Sequence, residues 1–445
     1  MYSLALNRYI VKSSLVGALG GFLFGFDTAV IAGTTHELTH VFHLSPTGIG
    51  VTVSMAVWGA VLGAMTSGIL GERIGGRQAL RFMAALYIVS ALGCAFAWNW
   101  PSLLAFRFLG GIGVGGSSVL GPVYIAELAP AKWRGRLVGM FQINVVIGIL
   151  LAYLSNSIIT GLHVGAMAWR WEFGVAAVPA MLFGAFLFTV PMSSRWLVTQ
   201  NRIAEAREVL DLLGSPSTES ELKEIVESIH FDRSIKHESV FQRRYLVPIL
   251  LASSLGALNQ LSGINAILYY LNDIFASAGF SQLSGNVQSV VIGLMNLVAT
   301  LIAMSMIDKL GRKTLLLIGS VGMAVSLGGV ARIFHAGTSS SSLLGFLVAF
   351  IFFFAISQGS VVWVYISEIF PTRVRSKGQG VGSSAHWIMN AVIAAIFPYV
   401  AARSRSLPFV FFAGMMALQF LLVLIFFPET KGKSLEQIQS KFSID

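Results

Sequence analysis

Twelve stretches of mainly apolar residues run through this chain of 445 residues. Each has the length, about twenty residues, that an α-helix needs to cross the hydrocarbon core of a bilayer. They fall near 10–33, 48–70, 79–98, 102–125, 137–160 and 171–191, and then near 246–275, 286–307, 313–333, 343–367, 378–401 and 407–427. The pattern is six, a polar interval, and six. None of the stretches alternates apolar and polar residues over short segments, as the strands of a membrane barrel must. Hydrophobic residues make up 55% of the chain and charged residues 11%. A soluble chain carries roughly 25% charged residues, so this one lacks the means to cover itself with a polar surface.

The Lys and Arg residues orient the spans. One set of loops holds Arg73, Arg77 and Arg81, then Lys132, Arg134 and Arg136, then the charged middle interval. The same side takes Lys309, Arg312 and Lys313, and finally Arg373, Arg375 and Lys377. The loop at 34–47 on the other side has Glu37 and histidines but no Lys or Arg. Cytoplasmic loops collect the positive charge, and an even number of spans puts both termini in the cytoplasm. The expected fold class is an all-α membrane protein of twelve transmembrane helices in two six-helix halves, 1–194 and 246–428. Short cytoplasmic helices fill 195–245, around the break Gly214-Ser215-Pro216, and a cytoplasmic tail runs over 429–445. About fifty linker residues are too few to fold alone.

Other classes fall away on the same evidence of residue types. The net charge of +10 belongs to the positive loops, so no nucleic-acid partner is expected. Cys94 is the single cysteine, which excludes an internal disulfide, and no Cys/His cluster suggests zinc. His36, His40 and His43 share one short loop, which is weak grounds for a metal, and no cofactor is expected. Gly111-Ile-Gly113-Val-Gly115-Gly116 fits a dinucleotide fingerprint but lies inside a span, where close helix packing is its use. Nothing arranges Ser, His and Asp as a nucleophile site, so the chain is not read as an enzyme. The first apolar stretch lacks a small-residue cleavage site and is expected to be retained. No Asn-x-Ser/Thr triplet occurs, in keeping with a bacterial inner membrane.

The two halves echo each other. Tyr124-Ile-Ala-Glu127-Leu-Ala-Pro130 with Arg134 recurs as Tyr365-Ile-Ser-Glu368-Ile-Phe-Pro371 with Arg375, at a constant offset of 241 residues. Glu72-Arg73-Ile74-Gly75-Gly76-Arg77 likewise echoes Asp308-Lys309-Leu310-Gly311-Arg312-Lys313. Repeated halves point to a pseudo-twofold bundle with a substrate site near the midplane.

These motifs carry a resemblance. Together with Gly25-Phe26-Asp27-Thr28-Ala29-Val30-Ile31, Arg107-Phe-Leu-Gly110 and Trp133-Arg134-Gly135, the first half resembles the sugar porter family of the major facilitator superfamily. In the second half Gln260-Leu-Ser-Gly-Ile-Asn265-Ala-Ile-Leu-Tyr269-Tyr270 and the tail Pro428-Glu429-Thr430-Lys431-Gly432-Lys433-Ser434-Leu435-Glu436 extend it to nearly the whole chain. The resemblance implies twelve helices, a central monosaccharide site, and facilitated or proton-coupled transport. The chain departs from the family pattern where Gly76 replaces a basic residue and Glu72 an Asp. It departs again after span six, where the family pattern has Glu and Pro and this chain reads Pro191-Met192-Ser193-Ser194-Arg195, and where Asn259-Gln260 replaces Gln-Gln.

Sugar recognition needs amides for vicinal hydroxyls and flat apolar surface for the ring. Gln142, Gln260, Asn265, Asn296 and Asn390 are amides within apolar helices, and the resemblance puts all five at sugar-contact positions. Asn265 and Tyr269 share a helix face, as do Trp387 and Asn390. Gly263 beside Ser262 permits local unwinding. Trp363 and Trp387 are candidate ring platforms, and Phe24 is either a lining residue or simple core. His386 stands where relatives often have an amide; it is a sugar contact, a pH-sensitive group or a structural histidine. Asp27 is the sharpest residue, because a carboxylate at mid-span costs ~2.5–3.5 kcal/mol on insertion scales and must be paired, protonated or wet. Arg107 is its expected partner. By resemblance such a pair marks proton symporters, while facilitators carry a neutral residue in place of the acid. Glu127, Arg134, Glu368 and Arg375, with Glu72, Arg73, Arg77, Asp308 and Arg312, are candidate gate residues at the cytoplasmic helix ends, the alternative being solvated loop charge. The chain is thus expected to import glucose, a similar hexose or xylose with a proton, as a monomeric functional unit in the lipid bilayer. A uniporter, or a non-transporting sugar sensor with too short a tail for signalling, are the alternatives.

Overall fold

The computed structural model describes residues 7–130, 132–215, 217–234, 239–337, 342–371 and 374–431. The tail motif from Gly432 onward, Arg373 and the side chain of Asp308 lie outside the described residues. Among the described residues every regular element is a helix. Eleven helices among the described residues are long and apolar enough to cross a membrane. The twelfth expected span, the sixth in order, is two shorter helices, Ala168–Val175 and Ala177–Phe186. Pro179 explains the break. It cannot donate to the carbonyl of Val175, and its ring crowds that carbonyl.

The first span, Arg8–Val41, runs well past the expected end at 33. Thr34 and Thr39 turn their hydroxyls back onto the carbonyls of Ile31 (3.0 Å) and Thr35 (2.9 Å), so polar residues continue the helix without exposing its backbone. The seventh span is Leu246–Leu261, Ile264–Tyr269 and Leu271–Ser277 in sequence. The unwinding expected at Gly263 is present: its φ is 83°, and an added Cβ would lie 2.3 Å from the Phe412 ring. Between the halves stand Ser194–Thr199, Ile203–Leu212 and Thr218–Ser234, which bury Leu197, Ala206, Leu210 and Leu222 as a small apolar cluster.

The chain divides into two compact units. One holds residues through Asp27, Gly59–Gly148 and Phe173–His237; the other holds Thr28–Trp58, Ile149–Glu172 and Glu238 onward. In the first unit, span two (Pro46–Ile74) from Gly59 onward, span three (Gly76–Ala95) and span four (Trp100–Leu128) meet through glycine. A Cβ at Gly59 would come 2.1 Å from the carbonyl oxygen of Phe108, and one at Gly115 2.1 Å from that of Ala60. The glycine run of span four is therefore a backbone-contact surface, as its place inside a span implied. Gly115→Val forces these helices apart, and a large loss of folded protein is expected when detergent-solubilised yield and melting temperature are compared with wild type.

In the second unit the far ends of spans one, two and five are bound to the second half. Tyr153 donates its hydroxyl to Leu268 O at 2.8 Å, Asn286 donates to Thr160 Oγ1 at 2.8 Å, and an added Cβ at Gly50 would meet Ala395 O at 2.1 Å. These contacts close the far ends of those spans against the second half within this unit.

Candidate functional site

Asp27 and Arg107, eighty residues apart, come together within the first unit: Arg107 Nη1 donates to Asp27 Oδ1 at 2.8 Å. Their side chains are 18% and 4% exposed, and Arg107 lies over the Phe173 ring at 5.5 Å. Loss of hydration favours the neutral acid, and the guanidinium favours the ionised one. Phe24, half-buried one turn earlier, and Gln142, half-buried in Arg134–Gly161, belong to the same unit.

The second unit gathers the other amides. Gln260 is 1% exposed at the end of Leu246–Leu261. Its Nε2 lies 3.0 Å from Asn259 Oδ1 and 3.2 Å from His386 Nε2. An amide donates to an imidazole nitrogen only where that nitrogen carries no proton, so this contact calls for a neutral ring. His386 is also 5.0 Å from the Trp363 ring and 5.5 Å, edge-on, from the Trp387 ring. Asn390, one turn beyond Trp387, donates to Tyr269 Oη at 3.2 Å, which ties Arg375–Arg403 to Ile264–Tyr269. Trp363 remains 39% exposed while Trp387 is buried, so Trp363 presents the more open ring face. Asn265 is half-buried one turn before Tyr269, and Asn296 is buried in Gln282–Leu310. Six of the ten expected sugar residues thus make contacts with one another in two groups, Gln260 with His386, Trp363 and Trp387, and Tyr269 with Asn390.

The candidate gate residues take partners close at hand. Arg312 Nη2 donates to Glu368 Oε1 at 3.0 Å, and Thr430 donates to the other oxygen at 2.7 Å. Arg134 donates to Ala126 O (3.0 Å), Arg77 to Val190 O (2.9 Å), and Glu127 is bonded to Ser193. Glu72 and Arg73 are exposed, and Arg375 is half-buried. The repeat has a structural counterpart. Gly75 and Gly311 open equivalent helices at φ 86° and 90°, and Tyr124 and Tyr365 donate to the carbonyls of Pro191 (2.6 Å) and Pro428 (3.1 Å).

The two halves differ where the first lacks its glutamate. Glu429, next to Pro428, accepts from the backbone N–H groups of Arg312 (2.9 Å) and Lys313 (3.0 Å), the start of Arg312–Ala336. Burial alone pushes its carboxyl up, but the N–H groups of Lys431, Arg312, Lys313 and Thr430 outweigh burial and hold it below the ordinary 4.5. A negative charge on a helix N-terminus contributes about 1 kcal/mol. That contribution is complete above the ordinary value and is lost as pH falls through the depressed one. Glu429→Ala should therefore lower the melting temperature at neutral pH, with the gap to wild type closing in acid. Met192 holds the matching place in the first half, where Trp196 instead donates to Glu72 O at 2.9 Å.

Some polar groups had no signal as isolated residues. Gln358, Gln419 and Ser320 form a fully buried chain in which Gln358 donates to Gln419 and Gln419 to Ser320 Oγ (2.9 Å). Asn259 was visible only as a departure from a doublet, yet it supplies the oxygen that orients Gln260.

A family model described as "Sugar (and other) transporter" matches residues 13–442. The glucose transport protein of Synechocystis sp. is 35% identical over 97% of both chains. The D-xylose-proton symporter of Escherichia coli K12 is 33% identical, covering 98% of this chain and 96% of that one. Among solved structures, the inward-open xylose transporter XylE of E. coli superposes with a TM-score of 0.87 at 32% identity, covering 97% of this chain and all of the other. The twelve-helix expectation and the family expectation both hold, and this multi-pass membrane protein, a transporter and no enzyme, belongs to the sugar transporter family of the major facilitator superfamily.

Proposed function

We propose that this chain imports a monosaccharide together with a proton by alternating access. The observation that carries this is the Asp27–Arg107 pair, a 2.8 Å ion pair inside a span. A carrier without proton coupling has no need to accept the desolvation cost of that acid. Relatives named as a glucose transport protein and a D-xylose-proton symporter support glucose, a similar hexose or xylose as the substrate.

Each transport cycle runs as follows. With the site open to the outside, a proton takes the place of Arg107 on Asp27, and sugar binds to the amides. The loaded carrier closes its outer ends and opens the inner ones. Sugar leaves, and the proton is released as Arg107 pairs again with Asp27. Gln260, Asn265, Asn296 and Asn390 supply donors and acceptors for hydroxyls, with Tyr269 and His386 beside them and Trp363 and Trp387 as ring platforms. Gln142 and Phe24 add contacts from the first half. Glu72, Arg73, Arg77, Glu127, Arg134, Asp308, Arg312, Glu368 and Arg375 form the cytoplasmic gate. The sealed far end, with Tyr153 bound to Leu268 and Asn286 to Thr160, supports an inward-facing state, in line with the likeness to inward-open XylE. Both termini lie in the cytoplasm of a bacterial cell, the protein spans the inner membrane, and one copy is the functional unit.

Uptake of labelled glucose, xylose, galactose and fructose into proteoliposomes, with and without an imposed pH gradient, tests this. Accumulation of one sugar above equilibrium only with the gradient is expected. Equilibration alone, with or without the gradient, assigns a uniporter.

A further inference from the structure

Glu172 stands at the end of the second unit's Ile149–Glu172 segment and is 1% exposed. Its Oε1 and the Nδ2 of Asn156 crowd one backbone position on the first span. A Cβ added at Gly33 would lie 2.8 Å from the first and 2.6 Å from the second. Glycine at 33 is thus what makes room for this acid. Asn156 turns its Nδ2 to Val30 O, donating at 3.1 Å.

Two neighbouring acceptors are then left without a donor, Oε2 of Glu172 and Oδ1 of Asn156. The charged group that faces Glu172 is another acid, Glu37, one turn beyond Gly33. Glu37 is already engaged by the Trp169 N–H at 2.7 Å and by the Gln282 side chain, with His36 near it. On the same helix as Glu172, Arg170 lies over the Trp169 ring. From the second half Asp273 faces this region and is bonded to Thr35. Among the described residues no ion pair reaches Glu172, whereas Asp27 has Arg107 at 2.8 Å.

An ionised carboxylate in this setting lacks what makes burial tolerable: a cation, a full set of donors, and distance from like charge. One proton repairs all three faults. It removes the charge, ends the repulsion from Glu37, and supplies an O–H donor where unpaired acceptors wait.

We propose that Glu172 is a second proton-binding site of this carrier, held in its neutral form while the far ends of the spans are sealed. The inference rests on the inward-facing transport reading given above, in which that end is the outer one. Glu37, which faces Glu172, is bonded from the second half by Gln282, and Thr35 on the same helix by Asp273, so parting the halves at this end opens the surroundings of the acid to water and closing them requires the proton. Binding is simple protonation, COO⁻ plus H⁺ giving COOH, taken from the external medium. Asp27 and Glu172 then have separate jobs: the first exchanges its proton with Arg107 to couple transport, and the second makes outer closure depend on external acidity.

Infrared spectroscopy of the full-length protein in lipid vesicles, at neutral pH in light and heavy water, tests this directly. Wild type is expected to show the C=O stretch of a protonated, buried carboxyl group. The Glu172→Gln variant should lose intensity in that band while Asp27→Asn keeps it, and sugar binding by E172Q verifies that it is folded. A wild-type spectrum with no such band overturns the proposal whatever the variants do, and so does a folded E172Q with the band intact. Loss of the band in D27N alone also overturns it, assigning the proton to Asp27. The coupling role of Asp27 is tested by accumulation, and failure there leaves the infrared result for Glu172 standing.

Discussion

Replacing Asp27 with Asn should abolish accumulation of sugar against a gradient while leaving sugar binding. A proton moving down a membrane potential supplies ~2.3 kcal/mol per 100 mV. At about 1.4 kcal/mol per tenfold, that sustains a sugar ratio of roughly 40- to 50-fold for one proton per neutral sugar. Asn has nearly the shape of Asp and still accepts a hydrogen bond from Arg107 (2.8 Å in the native pair), so the fold is kept. It cannot take a proton, and the ratio of inside to outside sugar should fall to one. Energised vesicles loaded with labelled sugar read both values. Accumulation that persists in the variant removes Asp27 from coupling.

The second large effect is expected at Gln260. Its amide is fully enclosed, anchored by Asn259 Oδ1 at 3.0 Å and set against His386 at 3.2 Å. On the proposed reading it meets the sugar already oriented, with little rotamer freedom left to lose. Gln260→Ala removes those bonds and strands the Asn259 oxygen and the ring nitrogen. In the bound state the sugar hydroxyls that faced the amide are left unpaired at ~1–3 kcal/mol each, so the sugar Kd should rise by about 10- to 100-fold. Equilibrium binding of the purified variant measures it. Since Asp27 and Arg107 are untouched, Q260A should still couple whatever sugar it carries. A Kd unchanged by the substitution takes Gln260 out of the sugar site.

Much of this fold was legible because bilayer spans leave a one-dimensional signal of length and apolarity. The pairing of Asp27 with Arg107 was legible for a related reason, since a charge inside a span needs a partner and few were on offer. The unwinding at Gly263 followed from a glycine beside a serine. The break in the sixth span was missed because Pro179 sits in a run whose average hydropathy hides it. The extension of the first span to Val41 was hidden for the opposite reason: threonines and histidines look like loop until their hydroxyls are seen bonded to the helix's own carbonyls. The Gln358–Gln419–Ser320 chain joins residues up to 99 positions apart, and no local pattern announces such a contact. Glu172 was passed over because a lone Glu beside Trp and Arg at a span end reads as an exposed interfacial charge. Only the room left at Gly33 and the orphaned oxygens beside it show that it is buried.

Proton movement recorded while sugar enters bears most directly on the central claim. Lightly buffered vesicles containing the protein, with a pH electrode or dye outside, receive the transported sugar in the absence of any imposed gradient. The account predicts a rise in external pH that keeps step with sugar entry and is absent in the D27N variant. Sugar entry with the external pH unchanged contradicts it.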